Sequence, residues 1–445
     1  MPRVLLLATT TGYQTRAFDD AAERLGVELV RATDRCHVLD DPWRDQAVPV
    51  RFYDDIESAN EILEFSRKTP LSGVLAVGDR PTVVAARVLE GLGLPGHPPA
   101  AAAAARNKLA SRERLRDGGL AVPYFTPVHV AEDARALSPS VPFPCVVKPL
   151  ALSGSRGVMR ANNTEELVAA FDRLRLLLLA PDIRAERREA DDLVLVEGFI
   201  AGHEFAVEGV MNHGVLHALA IFDKPDPLDG PFFEETIYIT PPEIAPDVQG
   251  AIVDAVRRAA LALGLHHGPI HAECRVNPST SSGRGPSTSS GQGAVLVLEV
   301  AARPIGGLCA SALRFAKAGD GSRDGSPLIS LEELLLRHAL GESSEGWERE
   351  RAASGVMMIP IPRRGIFRRA SGLEEARRVA GVEDVRITAK PDQVLVPLPE
   401  GASYLGFIFA RADDPGTVER ALRLAHGRLN FMIDPELPVV QSRHG

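Results

Sequence analysis

Glu273 and Glu299 each interrupt an apolar stretch of strand character, 270–276 and 294–300. An unpaired carboxylate in such a setting costs several kcal/mol or shifts its pKa, so something cationic must compensate it. If the two strands are hairpin neighbours, both carboxylates face one side and suit Mg²⁺, a hard ion that takes oxygen ligands and shares substrate phosphates. Salt bridges to Arg275 and Arg303 account for the same two residues equally well.

Lys148 closes the apolar run 143–147 and precedes Ser153, Gly154, Ser155, Arg156 and Gly157. A cation at the end of a buried strand, followed by a turn that exposes backbone N–H groups, can hold phosphate oxygens. Lys108, on an earlier charged helix, is a second cation for that task. Taken singly, a solvated lysine and a plain flexible hairpin explain these features too. Further on, the apolar segment 193–200 runs into Glu197, Gly198 and Phe199, with Gly202 and Glu204 after it. A strand-edge backbone with an aromatic can hold adenine, and a carboxylate can accept from ribose hydroxyls.

Other motifs carry less. Gly91, Gly93 and Gly96 match GxGxxG but follow a helix, with Pro95 where a helix should open, so they read as a helix stop and turn. His267 and His271 are four apart with Pro269 between them, in a strand, so they do not share the helix face of an HExxH zinc site; they read as structural or substrate-adjacent. The sequence contains no GxxxxGK[ST] and no GxSxG. Cys36, Cys145, Cys274 and Cys309 are scattered without a CxxC, as expected of buried thiols.

The elements that must position these residues follow from pattern. Residues 4–8, 27–31 and 73–77 alternate with helical stretches, the mark of βαβ units and a parallel sheet. A charged helix at 107–117 closes on two glycines, and a helix after 163 carries Asn163 and Glu166 at capping-box spacing. Strands at 193–197, 204–211, 215–222, 270–276 and 294–300 give the middle an antiparallel character, with a tight turn at 212–214 and a helix at 247–263. Residues 278–293 are an eight-residue Ser and Gly unit written twice, expected to form a mobile hairpin loop whose flanking strands still pair. Ser330 and Glu333 cap another helix, and 355–426 reads as strands and one helix. The expected division is an α/β domain over 1–100, a central domain over 101–345 and an α+β domain over 346–445.

The chain's 445 residues are ample for about three domains. With 50 Lys and Arg against 59 Asp and Glu, its net charge of −9 argues against non-specific binding of nucleic acid or anionic membrane. No apolar run approaches the roughly 20 residues that span a bilayer, and no signal peptide is legible, so the expected setting is the cytoplasm.

The stretches FPCVVKPLALSGSRGV, LVEGFIAGHEFAVEGV, HAECRVN and VLVLEVAARPIGG, in that order, resemble the ATP-grasp superfamily in its carboxylate–amine ligase branch. DKPDPLDGPFFEETIYITPP, residues 223–242, looks like the substrate segment of bacterial L-amino acid ligases that make dipeptides. The resemblance covers most of the chain and implies α/β and α+β architecture: a pre-ATP-grasp domain, an ATP-grasp domain of two subdomains and a closing α+β domain. It implies Lys108 and Lys148 on the phosphates of ATP, and Ser153, Gly154, Ser155, Gly157 and Val158 in a flexible lid. Glu197 and Phe199 would lie at the adenine hinge and Glu204 on ribose. Glu273 and Glu299 would hold Mg²⁺, with Mn²⁺ as a substitute. Arg303 would stabilise an acyl phosphate, while Lys224 and Glu235 face the substrate. Most of the superfamily has Asn two positions after the second metal carboxylate, where this chain has Ala301; the amino-acid ligases also tolerate Ala.

The implied activity is ATP-dependent joining of a small carboxylate, such as an amino acid, to an amine through an acyl phosphate. Alternatives are a biotin-carboxylase-like or glycinamide-synthetase-like enzyme, or a nucleotide-binding module without turnover. Small carboxylate and amine substrates are the expected partners, and a homodimer the expected assembly from the prevalence of dimers.

Overall fold

A computed structural model describes residues 1–9, 15–34, 47–277, 294–318 and 328–436. Arg3–Ala8 is an inner strand of a parallel sheet ordered Val48–Val50, Glu28–Asp34, Arg3–Ala8, Gly73–Val77. Its unbroken apolar run is explained by burial on both faces: Val4, Leu6 and Ala8 pack with Phe18 of the helix Thr15–Leu25, while Leu5 and Leu7 pack with Ile62 of Asp55–Lys68 and Val88 of Thr82–Leu92. Gly93 ends that last helix in a left-handed conformation (φ 68°), the stop expected of the GxGxxG look-alike.

The alanine run forms a helix of its own, Pro99–Arg106. Asn107 breaks it and caps the next helix, Lys108–Asp117, by accepting from the N–H groups of Leu109 and Ala110. Small side chains let these two helices lie close against Pro246–Leu263, in one core with the strand Gly268–Asn277.

Two antiparallel sheets follow. The smaller is ordered Phe125–His129, Leu193–Gly198, Cys145–Pro149, Met159–Ala161, backed by the helix Thr164–Leu178. The larger has eight strands: Ala294–Ala301, Gly268–Asn277, His203–Asn212, Val215–Asp223, Ile237–Thr240, Ala353–Ile359, Gly406–Ala412 and Val382–Ile387. It therefore carries the C-terminal strands as a continuation of the central ones, joined where Ile237–Thr240 pairs with Ala353–Ile359. His213 and Gly214 both take positive φ, which suits the tight turn between His203–Asn212 and Val215–Asp223. Residues 355–426 hold two helices, not one: Pro415–His426 and the five-residue Leu373–Arg377, which is too short to show a helical period in sequence.

Residues 278–293, with their expected loop, and Cys36 lie outside the described residues. Cys145, Cys274 and Cys309 are buried free thiols. Among the described residues no helix is long and apolar enough to cross a membrane.

Candidate active site

A cavity of about 440 Å³ opens between the smaller sheet, the larger sheet and the C-terminal edge of the parallel sheet. Its floor is the pairing of Gly268–Asn277 with Ala294–Ala301, which sets Glu273 directly opposite Glu299 and His271 opposite Ala301. Period-two alternation brings His271 and Glu273 to the same face, and both line the cavity.

The compensating cations differ from the two weighed in sequence. Glu299 faces Lys108 Nζ at 3.3 Å, and that ammonium also donates to the Leu152 carbonyl at 2.9 Å. Arg275 instead pairs with Glu204 (2.9 Å), and Arg303 with Asp79 through two contacts, Nε to Oδ1 at 2.8 Å and Nη2 to Oδ2 at 3.1 Å. Burial works against ionisation of Asp79, but Arg303 outweighs it and holds the carboxyl below its ordinary range.

Lys148 reaches the cavity wall, with its ammonium on Glu197. Glu197 also accepts from Arg112 at 2.9 and 3.3 Å. Burial penalises this carboxylate, yet Arg112 and Lys148 together hold it at about 2, while burial pulls Lys148 down to about 8. Glu197 is thus an internal counter-ion beside the expected hinge, because a carboxylate this deep must be paired.

Lys224, expected to face substrate, is 3% exposed and stands behind the wall. Its ammonium donates to Glu204 (2.7 Å), Glu235 (2.6 Å) and Glu273 (3.0 Å). Three converging carboxylates require a buried cation, and they raise Lys224 well above its ordinary range in spite of desolvation. The same arrangement pairs Glu204 with Lys224 and Arg275 while it still lines the cavity. Glu235 lines the cavity; burial and the neighbouring Glu273 push it up to about 7. Glu204, Glu235 and Glu273 offer oxygens within 4.8 Å of one another, a grouping that omits Glu299.

Glu208, fully buried, accepts from the Ile305 N–H (3.1 Å) and contacts His271 Nδ1 (3.1 Å), while His271 Nε2 is 3.7 Å from Glu273. Desolvation disfavours the imidazolium, but these carboxylates push His271 up to about 9.

Phe199 lines the cavity with Val146, Leu228 and Leu298. Its ring lies under the guanidinium groups of Arg160 (4.3 Å) and Arg275 (5.1 Å) and beside Phe233. Over the top runs the glycine-rich turn. Ser153, Gly154, Ser155 and Val158 face the cavity, whereas Gly157 is turned onto Leu174, 2.8 Å from where a Cβ would sit. The turn rests on the C-terminal segment: Gly157 N donates to the Pro399 carbonyl and Arg156 Nε to that of Glu400, each at 2.8 Å.

The residues missed in sequence are Arg112, Asp79 and Glu208. Arg112 sits in a charged helix that reads as solvated, and Glu208 in a strand with no obvious partner. Asp79 had a usable signal, since it follows the C-terminal end of a parallel strand, where open α/β sheets place ligands.

Family models match in three places: an ATP-grasp N-terminal domain over 18–96, an ATP-grasp domain over 141–312 and an L-amino acid ligase C-terminal domain over 357–434. The chain is similar to an uncharacterized protein of Sinorhizobium fredii, 25% identical over 98% of this chain and 84% of that one. It is 30% identical to the alanine–anticapsin ligase of Bacillus subtilis over 44% of each, so the match spans less than half of that relative. The crystal structure of an L-amino acid ligase from Bacillus licheniformis superposes with a TM-score of 0.78 at 27% identity, covering 98% of this chain and 99% of that one. The chain therefore belongs to the ATP-grasp superfamily, as an ATP-binding ligase of the carboxylate–amine branch with the three-domain organisation of the L-amino acid ligases.

Proposed function

We propose that the protein joins a small carboxylate, of amino-acid type, to an amine at the expense of ATP. The observation that carries this reading is one cavity lined together by a glycine-rich turn, Lys108, Lys148, Arg303 and the opposed carboxylates Glu273 and Glu299. The turn and the two lysines hold the triphosphate, and Phe199 with its apolar neighbours receives adenine. Glu273 and Glu299 fit Mg²⁺, since both offer hard oxygen donors beside cations that suit phosphate. When bound, that ion neutralises charge between the phosphates.

A donor carboxylate oxygen attacks the γ-phosphorus, the bond to the β-phosphate oxygen breaks, and ADP leaves. The amine nitrogen then attacks the acyl carbon, and inorganic phosphate departs with the donor oxygen. Arg303, aimed by Asp79, neutralises the acyl phosphate, while Glu208 fixes the backbone just after Arg303 and the ring of His271. These residues act by positioning and charge, as phosphoryl transfer requires. A cytoplasmic setting is consistent with the free thiols.

The test is isotopic. A donor labelled with oxygen-18 in its carboxylate should pass one label to released phosphate, and unlabelled phosphate during authentic amide synthesis would overturn the mechanism.

A further inference from the structure

The loop 224–236 joins the strands Val215–Asp223 and Ile237–Thr240, and lines the cavity with Leu228, Phe233 and Glu235. Its ends are pinned to each other by Lys224 and Glu235. With no helix or strand of its own, the loop takes its shape from whatever binds its carbonyls. Two arginines do so. Arg275 donates Nη2 to the Leu228 carbonyl, and Arg160 donates Nη1 to that of Asp229 at 2.7 Å. The main chain of Arg160 adds its N–H to the Pro231 carbonyl at 2.9 Å, next to a bridge between Met159 and Phe232. Gly230 permits this approach, since a Cβ there would lie 2.8 Å from the Arg160 Cβ.

These are the same two guanidinium groups that stand over the Phe199 ring, at 4.3 and 5.1 Å. Their settings differ. Arg275 is buried in the larger sheet and fixed there by Glu204 at 2.9 Å. Arg160 is half-buried and belongs to the smaller sheet, in the strand Met159–Ala161 that leads directly out of the glycine-rich turn. It therefore joins three parts: the turn over the phosphates, the ring that receives adenine, and the loop that ends at Glu235. Glu235 offers an oxygen within 4.8 Å of one from Glu273, at the end of the cavity where γ-phosphate and donor must meet. A nucleotide that settles the ring and the turn thus settles the loop as well.

We propose that Arg160 is a positioning residue, through which bound nucleotide sets the loop 224–236 for the carboxylate substrate. This rests on the ligase reading above. The donor for the test is chosen from a panel of amino acids with MgATP and hydroxylamine, which traps the acyl phosphate as hydroxamate. Calorimetry then gives the affinity for the Mg²⁺ complex of AMP-PNP with and without that donor at saturation. In wild type the donor should tighten nucleotide binding about 10- to 100-fold, an ordinary coupling between two sites. In Arg160→Gln that gain should shrink about 10-fold, the effect of losing a hydrogen bond from a charged group. Affinity for AMP-PNP alone should change by about 5-fold or less, the worth of an exposed cation–π contact. Because coupling is reciprocal, KM for the donor should rise about 10-fold while kcat holds. Arg160→Lys keeps the charge but not the fork, so it should lose part of the gain at the melting temperature of wild type; it carries the test if the glutamine variant fails to fold. Equal losses of AMP-PNP affinity with and without donor would make Arg160 part of the base site alone. A lower kcat with both affinities intact would make it structural. Either result, or a gain that is unchanged in both variants or missing in wild type, overturns the inference and leaves the ligase reading intact. Absence of both hydroxamate and ADP release with every amino acid in wild type would instead overturn the ligase reading, and this inference with it.

Discussion

Two carboxylates of the cavity wall show how differently one chemical group can be used. The Glu197 side chain is 5% exposed and sandwiched between Arg112 and Lys148, whereas that of Glu299 is 31% exposed and meets a single ammonium at 3.3 Å. Breaking the first arrangement strands a buried charge, so Arg112→Met should destabilise the fold by about 3–5 kcal/mol, read as a lowered denaturation midpoint. Glu299→Gln keeps shape and removes a partly exposed charge worth about 1 kcal/mol or less to stability. Its effect should fall on turnover, by 100-fold or more, with the melting temperature held within about 3 °C. A large loss of stability there would make Glu299 structural. Asp79→Asn should leave ATP binding intact and lower turnover, since the bidentate hold on Arg303 is what it removes; weakened ATP binding would contradict that assignment.

The glycine-rich turn, residues 153–158, gains its conformation from three consecutive demands. Gly154, Ser155 and Gly157 all take positive φ, the Gly157 Cα lies against Leu174, and the Gly157 and Arg156 donors find carbonyls in the segment at 399–400. Few buried apolar contacts support the cavity-facing half, so nucleotide should supply its missing partners. Amide exchange at 153–158 should slow when MgATP is added, and equal exchange with and without it would argue against a lid. Gly157→Ala should strain the turn through both its φ of 76° and its approach to Leu174, raising KM for ATP.

Where the parallel sheet's neighbourhood meets the larger sheet, histidines gather. His338 of the helix Leu331–Ala339 stacks on His267 at 4.2 Å, with His213 and His97 close by. Among the described residues, His338 Nε2 and His267 Nδ1 are buried without a hydrogen-bond partner. Burial, then the other imidazoles, lowers His338 to about 3, and burial lowers His97 and His267 to about 4. Unfolded histidine takes up a proton near pH 6.5, so the unfolded state binds more protons between that pH and about 4. Stability from this cluster is therefore full above pH 6.5 and lost as pH falls toward 4. Carboxylates with raised pKa values, Glu235 among them, act in the opposite sense, so the cluster is isolated by difference. The stability of wild type relative to His338→Leu, from urea melts, should fall by about 2 kcal/mol between pH 7.5 and pH 5. A pH-independent difference would mean that His338 titrates normally.

Strand periodicity, caps and glycine stops were legible in the chain because they are local: alternation marks Gly268–Asn277, Asn163 and Ser330 mark helix starts, and Gly264 a helix end. The order of the motifs likewise carried the superfamily, since backbone approach to phosphate restricts which residues can stand there. The partner of each charge was not legible. Lys224, Glu204 and Glu197 read as groups facing ligand, and the pairing of each with residues up to 85 positions away was hidden: Glu204 and Glu197 line the cavity while paired, and Lys224 stands behind it. Arg112, Asp79 and Glu208 entered the site from a helix, a turn and a neighbouring strand with nothing nearby in sequence to announce them. A buried charge needs whichever counter-charge is close in space, and sequence order does not record that distance; the packing of the three sheets sets it.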